Sequence, residues 1–219
     1  MRIDRFFDEA ARARIVEAVR AAERGTAGEI VTSVASASDA YEEAYWRASA
    51  FFALMVVLGG FLRYQLTPSW APIGTDVALT AIASAGLFGA LLVAVLPSAK
   101  RAFAGAGLLD RRVRQAADAA FRTERVGGTR DGTGILIFVS LAERRVVVLP
   151  DRGIAGRAPE GSWDGAVAQI VEGMKKGRPA DGLIAAVELC GQVLHEAGIE
   201  ARADDANELP DAPNVGITL

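Results

Sequence analysis

Positions 77–96 read VALTAIASAGLFGALLVAVL without a single charge. As a helix, this run of about 20 residues rises roughly 30 Å, the depth of a bilayer's hydrocarbon core. No other stretch restricts the fold so tightly. A second apolar run, ASAFFALMVVLGGFL at 48–62, is short by itself, but Tyr45, Trp46, Tyr64 and Leu66 extend it with residues suited to headgroup depth. Composition agrees: 51% of the chain is hydrophobic and only 23% is charged, a balance that soluble domains of this size seldom reach. A pair of buried core helices is the competing reading, and run length argues against it.

The two runs form a hairpin. Their connection, RYQLTPSWAPIGTD, carries only Arg63 and Asp76 as charges, whereas Lys100, Arg101, Arg111, Arg112 and Arg114 follow the second run, and Arg47 with a basic N-terminal helix precedes the first. By the positive-inside bias, the chain is expected to be a multi-pass protein of the inner or plasma membrane, with both termini and the soluble domain cytoplasmic. The charged, amphipathic first 25 residues predict no signal peptide. The lipid bilayer is thus the first expected partner, and the arginine clusters suit its anionic headgroups. Nucleic acid is excluded by a net charge of −3, since phosphate binding needs a concentrated basic face. One cysteine and one histidine exclude a disulfide framework and a CxxC or HExxH zinc site.

Around the hairpin lie the pieces of one small domain. Asp8 is a candidate cap for a helix ending at Arg24, with Gly25 just beyond. GEIVTSVAS at 28–36 reads as a strand, and a helix is clearest over 110–123. The runs ILIFVSL (135–141) and RRVVVL (144–149) are strands joined so tightly by Ala142 and Glu143 that they must be antiparallel neighbours. Their apolar residues are continuous, so helices should cover both faces of the sheet. Ser162 is expected to cap a helix at 163–176, and Asp181 to cap the last long helix, which stops at Gly198. The long crossover favours parallel pairing of the first two strands. The expected fold is α/β: a three-layer α/β/α domain around a small mixed sheet, with an inserted two-helix transmembrane hairpin. Its parts are 1–44 (helix and strand), 45–98 (hairpin), 99–200 (second part of the domain) and 201–219 (acidic, extended or disordered tail).

This topology gathers the start of strand one (Thr26, Glu29), the start of strand two (Thr129, Asp131, Thr133) and the end of strand three (Asp151) on one rim. Glu29, Asp131 and Asp151 are therefore the candidate metal ligands, because hard oxygen donors suit Ca²⁺ or Mg²⁺, which can bind a phosphate and activate water against it. Equally ordinary roles exist: Asp131–Gly132 is a turn pair, Asp151 can cap a loop and Glu29 can solvate a strand end. No nucleotide site is expected, because GTRDGTG enters a strand where a dinucleotide loop must leave one, and GAGLLD lacks the third glycine. Cys190 and His195 lie roughly 140° apart on one helix, too far round for a nucleophile–base pair. Cys190 reads as core, His195 as exposed and Trp163 as a packing anchor. No GxSxG elbow is present, and no catalytic nucleophile is assigned.

The order TAGEIVTSV, ADAAFRTERVGGTRDGTGILIFVSLAERRVVVLPDRGI and SWDGAVAQIVEGMKKGRPADGLIAAVELCGQVL resembles the TPM domain family over nearly all of the soluble part. Its most specific stretch is GILIFVSLAERRVVVLPDRGI with Trp163 and Gly182 downstream. The resemblance implies a three-layer α/β/α fold, a phosphatase activity, calcium binding and help in assembling or repairing membrane complexes, with the cation site carried onto Asp151 and Glu29. Many such domains sit outside the cytoplasm with any anchor beyond the domain, whereas here the anchor lies inside it. Scarce cytosolic calcium turns the expectation toward Mg²⁺ or no metal. The reading is therefore a membrane-anchored accessory module that binds a divalent cation and assists a membrane complex. The alternative is a metal-assisted phosphoester hydrolase.

Overall fold

The computed structural model describes residues 3–66, 74–159, 161–201 and 207–218. In chain order the elements are α1 (Glu9–Glu23), β1 (Glu29–Ala37), α2 (Glu42–Leu66), α3 (Thr75–Val95), α4 (Pro97–Ala104), α5 (Ala106–Thr123), β2 (Gly134–Ser140), β3 (Arg145–Pro150), α6 (Arg152–Ala155), α7 (Asp164–Lys175), α8 (Pro179–Glu196) and β4 (Asn214–Thr218). They fall into two compact units, Met1–Asp39 with Asp110–Leu219, and Ala40–Leu109.

The first unit is built on a four-stranded sheet of order β3-β2-β1-β4. β1 and β2 are parallel, with Glu29 opposite Gly134 and Ala35 opposite Ser140, while β2 and β3 are antiparallel, with Ile135 opposite Pro150. Both pairings agree with the sequence expectation. Side chains alternate across the sheet. Ile30, Val34, Ile135, Ile137 and Val139 join Ile15, Val19, Ile170, Leu183 and Leu194 in a core against α1, α7 and α8. On the opposite face, Val31, Ala35, Leu136 and Phe138 pack on Val113, Ala116, Ala117 and Ala120 of α5. Both faces are covered and the unit has three layers, which is why the apolar runs of its strands are continuous.

Asp8 caps α1 by accepting the Ala11 N–H at 2.8 Å. Two other expected caps are corrected. Trp163, not Ser162, is the N-cap position of α7 and no side chain caps it; the Ser162 hydroxyl donates to the Pro159 carbonyl (2.7 Å), and the chain enters the helix through a turn closed by Asp164 N–H on Gly161 O (3.0 Å). Asp181 lies inside α8, because Pro179, whose fixed φ suits a first helical position, starts the helix two residues earlier. Its carboxylate pairs with Arg14 (2.9 Å) and Arg178 (3.8 Å) instead. The tail is extended where it is described, but it also forms a strand: β4 runs parallel along β1. Positions 202–206 lie outside the described residues. Cys190 is fully buried, and burial pushes its thiol up to about 12, so it serves the core as expected. Trp163 packs half-buried on the same core.

The second unit is a helical hairpin with a short helix at its base. α2 and α3 are each long and apolar enough to cross a membrane. They run antiparallel, with Phe52 of α2 edge-on to Phe88 of α3 at 5.2 Å between ring centroids. At Gly89 the two backbones come so close that a Cβ would sit 2.5 Å from the Ala48 carbonyl oxygen, the small-residue contact that lets membrane helices pack. α4 folds back on this base through Phe103, 5.8 Å from Phe51. Arg47 caps the C-terminal end of α4 by donating to Ala104 O (2.6 Å), and Lys100 lies 5.0 Å from the centre of the Tyr45 ring. The loop that carries Trp70 lies outside the described residues.

Candidate functional site

The rim predicted from the sequence exists in the first unit, at the end of the sheet where β1 and β2 begin. Gly134 is its midpoint. Glu29 pairs with it across the β1–β2 ladder, and on the other side the Asp151 N–H donates to Gly134 O at 2.8 Å. Glu29 and Asp151 thus stand on either side of β2, roughly two strand spacings, or about 10 Å, apart along the backbone. Asp131 is exposed in the loop before β2. That loop lies against the segment after β3 so closely that a Cβ at Gly153 would stand 2.3 Å from Asp131 O. Asp131 and Asp151 therefore occupy neighbouring loops, and Glu29 lies across the sheet end from them.

Asp151 is the N-cap of the one-turn helix α6, and its Oδ1 accepts the Arg152 N–H at 2.7 Å. Its other oxygen, Oδ2, is buried and receives no hydrogen bond among the described residues. An acceptor taken from water and left bare costs free energy. The residue is thus both a cap and a carboxylate with spare ligating capacity. Glu29 is differently engaged: it is 9% exposed, and its Oε1 accepts the Glu208 N–H at 3.2 Å. The threonines of the rim are committed to holding it together. The Thr26 hydroxyl donates to Ile199 O (2.6 Å) and accepts from Gly28 N–H (3.1 Å), the Thr133 hydroxyl donates to Ala27 O (2.6 Å), and Thr129 Oγ1 accepts from Thr133 N–H (2.9 Å).

Beside Glu29 opens a cavity of about 290 Å³ lined by Arg20, Glu23, Arg24, Thr26, Glu29, Ala201 and Asn207. Glu23 is its most perturbed group. Burial pushes its carboxyl up to about 8, against the pull of the Ile30 N–H, which donates to Oε1 at 2.7 Å; Glu29 and Asp211 nearby push it further up. A half-buried carboxyl that keeps its proton near neutrality is a donor as well as an acceptor. The sequence reading missed Glu23, because nothing in the α1 heptads distinguishes its last-turn glutamate from a solvated one. It also missed Glu143. That hairpin residue is 2% exposed; its carboxylate accepts from Ser38 N–H (2.9 Å) and from the Ser140 hydroxyl, which shares a 2.6 Å contact with the Ser38 hydroxyl.

Among the described residues no three His, Cys, Asp or Glu side chains gather into a metal-holding group. The oxygen donors near Asp151 are its bare Oδ2 and the carbonyls of Asp131 and Gly132, which crowd Gly153. Gly132 O already accepts the Gly153 N–H (2.9 Å), and with a single carboxylate oxygen among them these donors do not form a multi-carboxylate calcium cage.

Residues 92–193 match the TPM domain family. The TPM match runs from the end of α3 to the last turn of α8; it contains Asp131 and Asp151 and leaves α1, β1 and Glu29 outside, a narrower span than the sequence resemblance implied. No curated protein matches the chain. Among solved structures it is similar to the NMR structure of BA42 protein from the psychrophilic bacterium Bizionia argentinensis, with 19% sequence identity, 94% of this chain and 93% of that chain covered, and a TM-score of 0.55. At that identity the likeness establishes a shared fold. It supports the α/β/α architecture and leaves the chemistry of the rim to the residues themselves.

Proposed function

We propose that this chain is a membrane-anchored TPM module: α2 and α3 lie in the bilayer, and the α/β unit faces the cytoplasm, where it docks on a membrane protein complex. One observation carries the reading. α2 and α3 each carry a long apolar window, yet only 6% and 11% of those windows are buried. Leu54, Phe61, Leu79, Leu87, Phe88, Leu91 and Val95 all point outward. Core helices of a soluble protein bury such residues, and an exposed apolar surface of this extent in water would drive aggregation. Lipid is the solvent that suits it. The basic residues that flank the pair orient the termini inward. The test is alkaline carbonate extraction of bacterial membranes containing the full chain, with protease protection in inside-out and right-side-out vesicles. The chain should stay with the membrane, and the α/β unit should be cut only from the cytoplasmic side. Extraction into the supernatant would end the anchoring claim, and cutting from the outside would end the orientation.

The bare Oδ2 of Asp151 favours a second reading, consistent with the phosphatase in the family model's name. Here Asp151 is the ligand that would hold a divalent cation, with Asp131 in the adjoining loop and Glu29 across the sheet end; a bound cation would supply Lewis-acid activation of a phosphate ester and of water. Asp151→Asn keeps the cap oxygen and removes the charge. On this reading it loses more than about 100-fold of a Mg²⁺-dependent, EDTA-sensitive phosphatase rate, while the melting temperature moves little. Wild-type chain with no metal-dependent hydrolysis leaves the docking module as the whole function.

A further inference from the structure

The C-terminal segment 207–218 lies on the α/β unit as a ligand would. Its residues alternate: Leu209, Asp211, Pro213 and Val215 turn inward, and Glu208, Pro210, Ala212, Asn214 and Gly216 are exposed. Leu209 packs on the core beneath α5 and Val215 on the core beneath α1. Between these two apolar seats lies a polar latch: the Asp211 carboxylate, only 8% exposed, accepts from Arg20 Nε at 2.7 Å and from Asn207 at 2.6 Å. At the rim, Glu208 uses its carboxylate to accept the Arg130 N–H (2.9 Å) and its own N–H to donate to Glu29 (3.2 Å). The segment then continues as β4 along the edge of β1.

Its fit as a strand is imperfect. The register shifts twice, between Val34 and Ala35 and again between Ala35 and Ala37. Within the strand, Gly216 sits at φ 105° and adds no side chain to the packing. Remove the segment, and what remains is the Ser33–Ala37 half of the β1 edge, with Arg20 beside it and an apolar seat toward each face of the sheet. This is the equipment of strand addition, in which main-chain hydrogen bonds supply affinity and alternate side-chain seats supply specificity.

We propose that the β1 edge is a receptor for an extended acidic segment of a partner protein, and that residues 207–218 are its exchangeable occupant in cis. The occupant specifies the partner's chemistry. It runs parallel to β1, places an aliphatic side chain at the Leu209 seat, a carboxylate two residues later on Arg20, and a second aliphatic residue four further on at the Val215 seat. The inference rests on reading the chain as a docking module and names the surface used. It does not depend on the anchor, so the experiment below fails or succeeds separately from carbonate extraction.

The probe is a fluorescein-labelled peptide of sequence NELPDAPNVGIT, titrated against the full chain in nanodiscs, with hydrogen exchange measured on the same samples. Two variants open the strap in different ways. Asp211→Lys breaks the latch at Arg20, and Gly216→Pro removes a strand N–H far from it. In both, the amides of 214–218 should exchange faster than in wild type while those of β2 do not change, and the peptide should bind about tenfold or more tighter than to wild type, whose own strap competes. A peptide with lysine in place of the aspartate should lose that gain. Overturning results are strap amides as protected in both variants as in wild type, an opened strap that leaves the peptide unbound, or equal binding of the charge-reversed peptide.

Discussion

Glu23 ends α1 half-buried, and its proton is the most consequential in the α/β unit. Its carboxyl titrates near 8 in the fold, against 4.5 for an ordinary glutamate. The folded chain thus holds this proton more tightly than the unfolded chain does. The stability that goes with it is fully present below pH 4.5 and is lost as pH rises through about 8. Ionisation would place a charge beside Glu29 and Asp211 in a poorly solvated cavity. We therefore expect the melting temperature of wild type to fall between pH 5 and 9, and Glu23→Gln, which keeps the acceptor for Ile30 and has no proton to lose, to flatten that fall. Equal slopes in the two proteins would show that another group governs it. Residues of this kind mark the limit of reading a sequence. Asp8 was legible because a cap and the N–H it serves are neighbours in the chain. Glu23 and Glu143 were not, because their burial is decided by segments far away in sequence, the tail for the one and the end of β1 for the other.

The hairpin shows what an element reveals without any tertiary context. Its two long apolar helices were readable because each is continuous in sequence, so length and apolarity alone set their limits. On the proposed placement in lipid, each exposed position carries a penalty. A lysine in the middle of α3 costs about 2.5–3.5 kcal/mol in insertion free energy, so Leu87→Lys with Leu91→Lys, at positions 62% and 54% exposed, should move most of the chain from the carbonate-resistant to the soluble or degraded fraction. The same pair on a water-exposed helix would raise solubility without changing where the protein sits, and that outcome would tell against the spans. β4 is the opposite case. A central glycine, and the prolines and acidic residues just before it, hide it from a propensity reading, and it pairs along the edge that β1 offers.

At the scale of the whole chain, the parallel partnership of β1 with β2 was legible from a combination of constraints: a strand, a long excursion, and two further strands too tightly joined to be anything but antiparallel. Layer order followed from the continuous apolar runs. The rim was legible as a place, since strand direction decides which loops meet there, and illegible as a set of contacts, since side-chain reach and the course of the tail decide those. The excursion itself has a temporal meaning. β1 ends at Ala37, and its first neighbour, β2, begins at Gly134, so the ribosome delivers both greasy helices before the sheet has a second member. On the proposed anchoring, lipid insertion precedes completion of the α/β unit, whose sheet gains its second strand only after both apolar helices have been made. Stalled nascent chains ending near position 125 should be carbonate-resistant yet proteolysed within 1–39, whereas released full-length chains resist cleavage there. Protection of that segment before β2 exists would mean that synthesis and sheet formation are not coupled in this order.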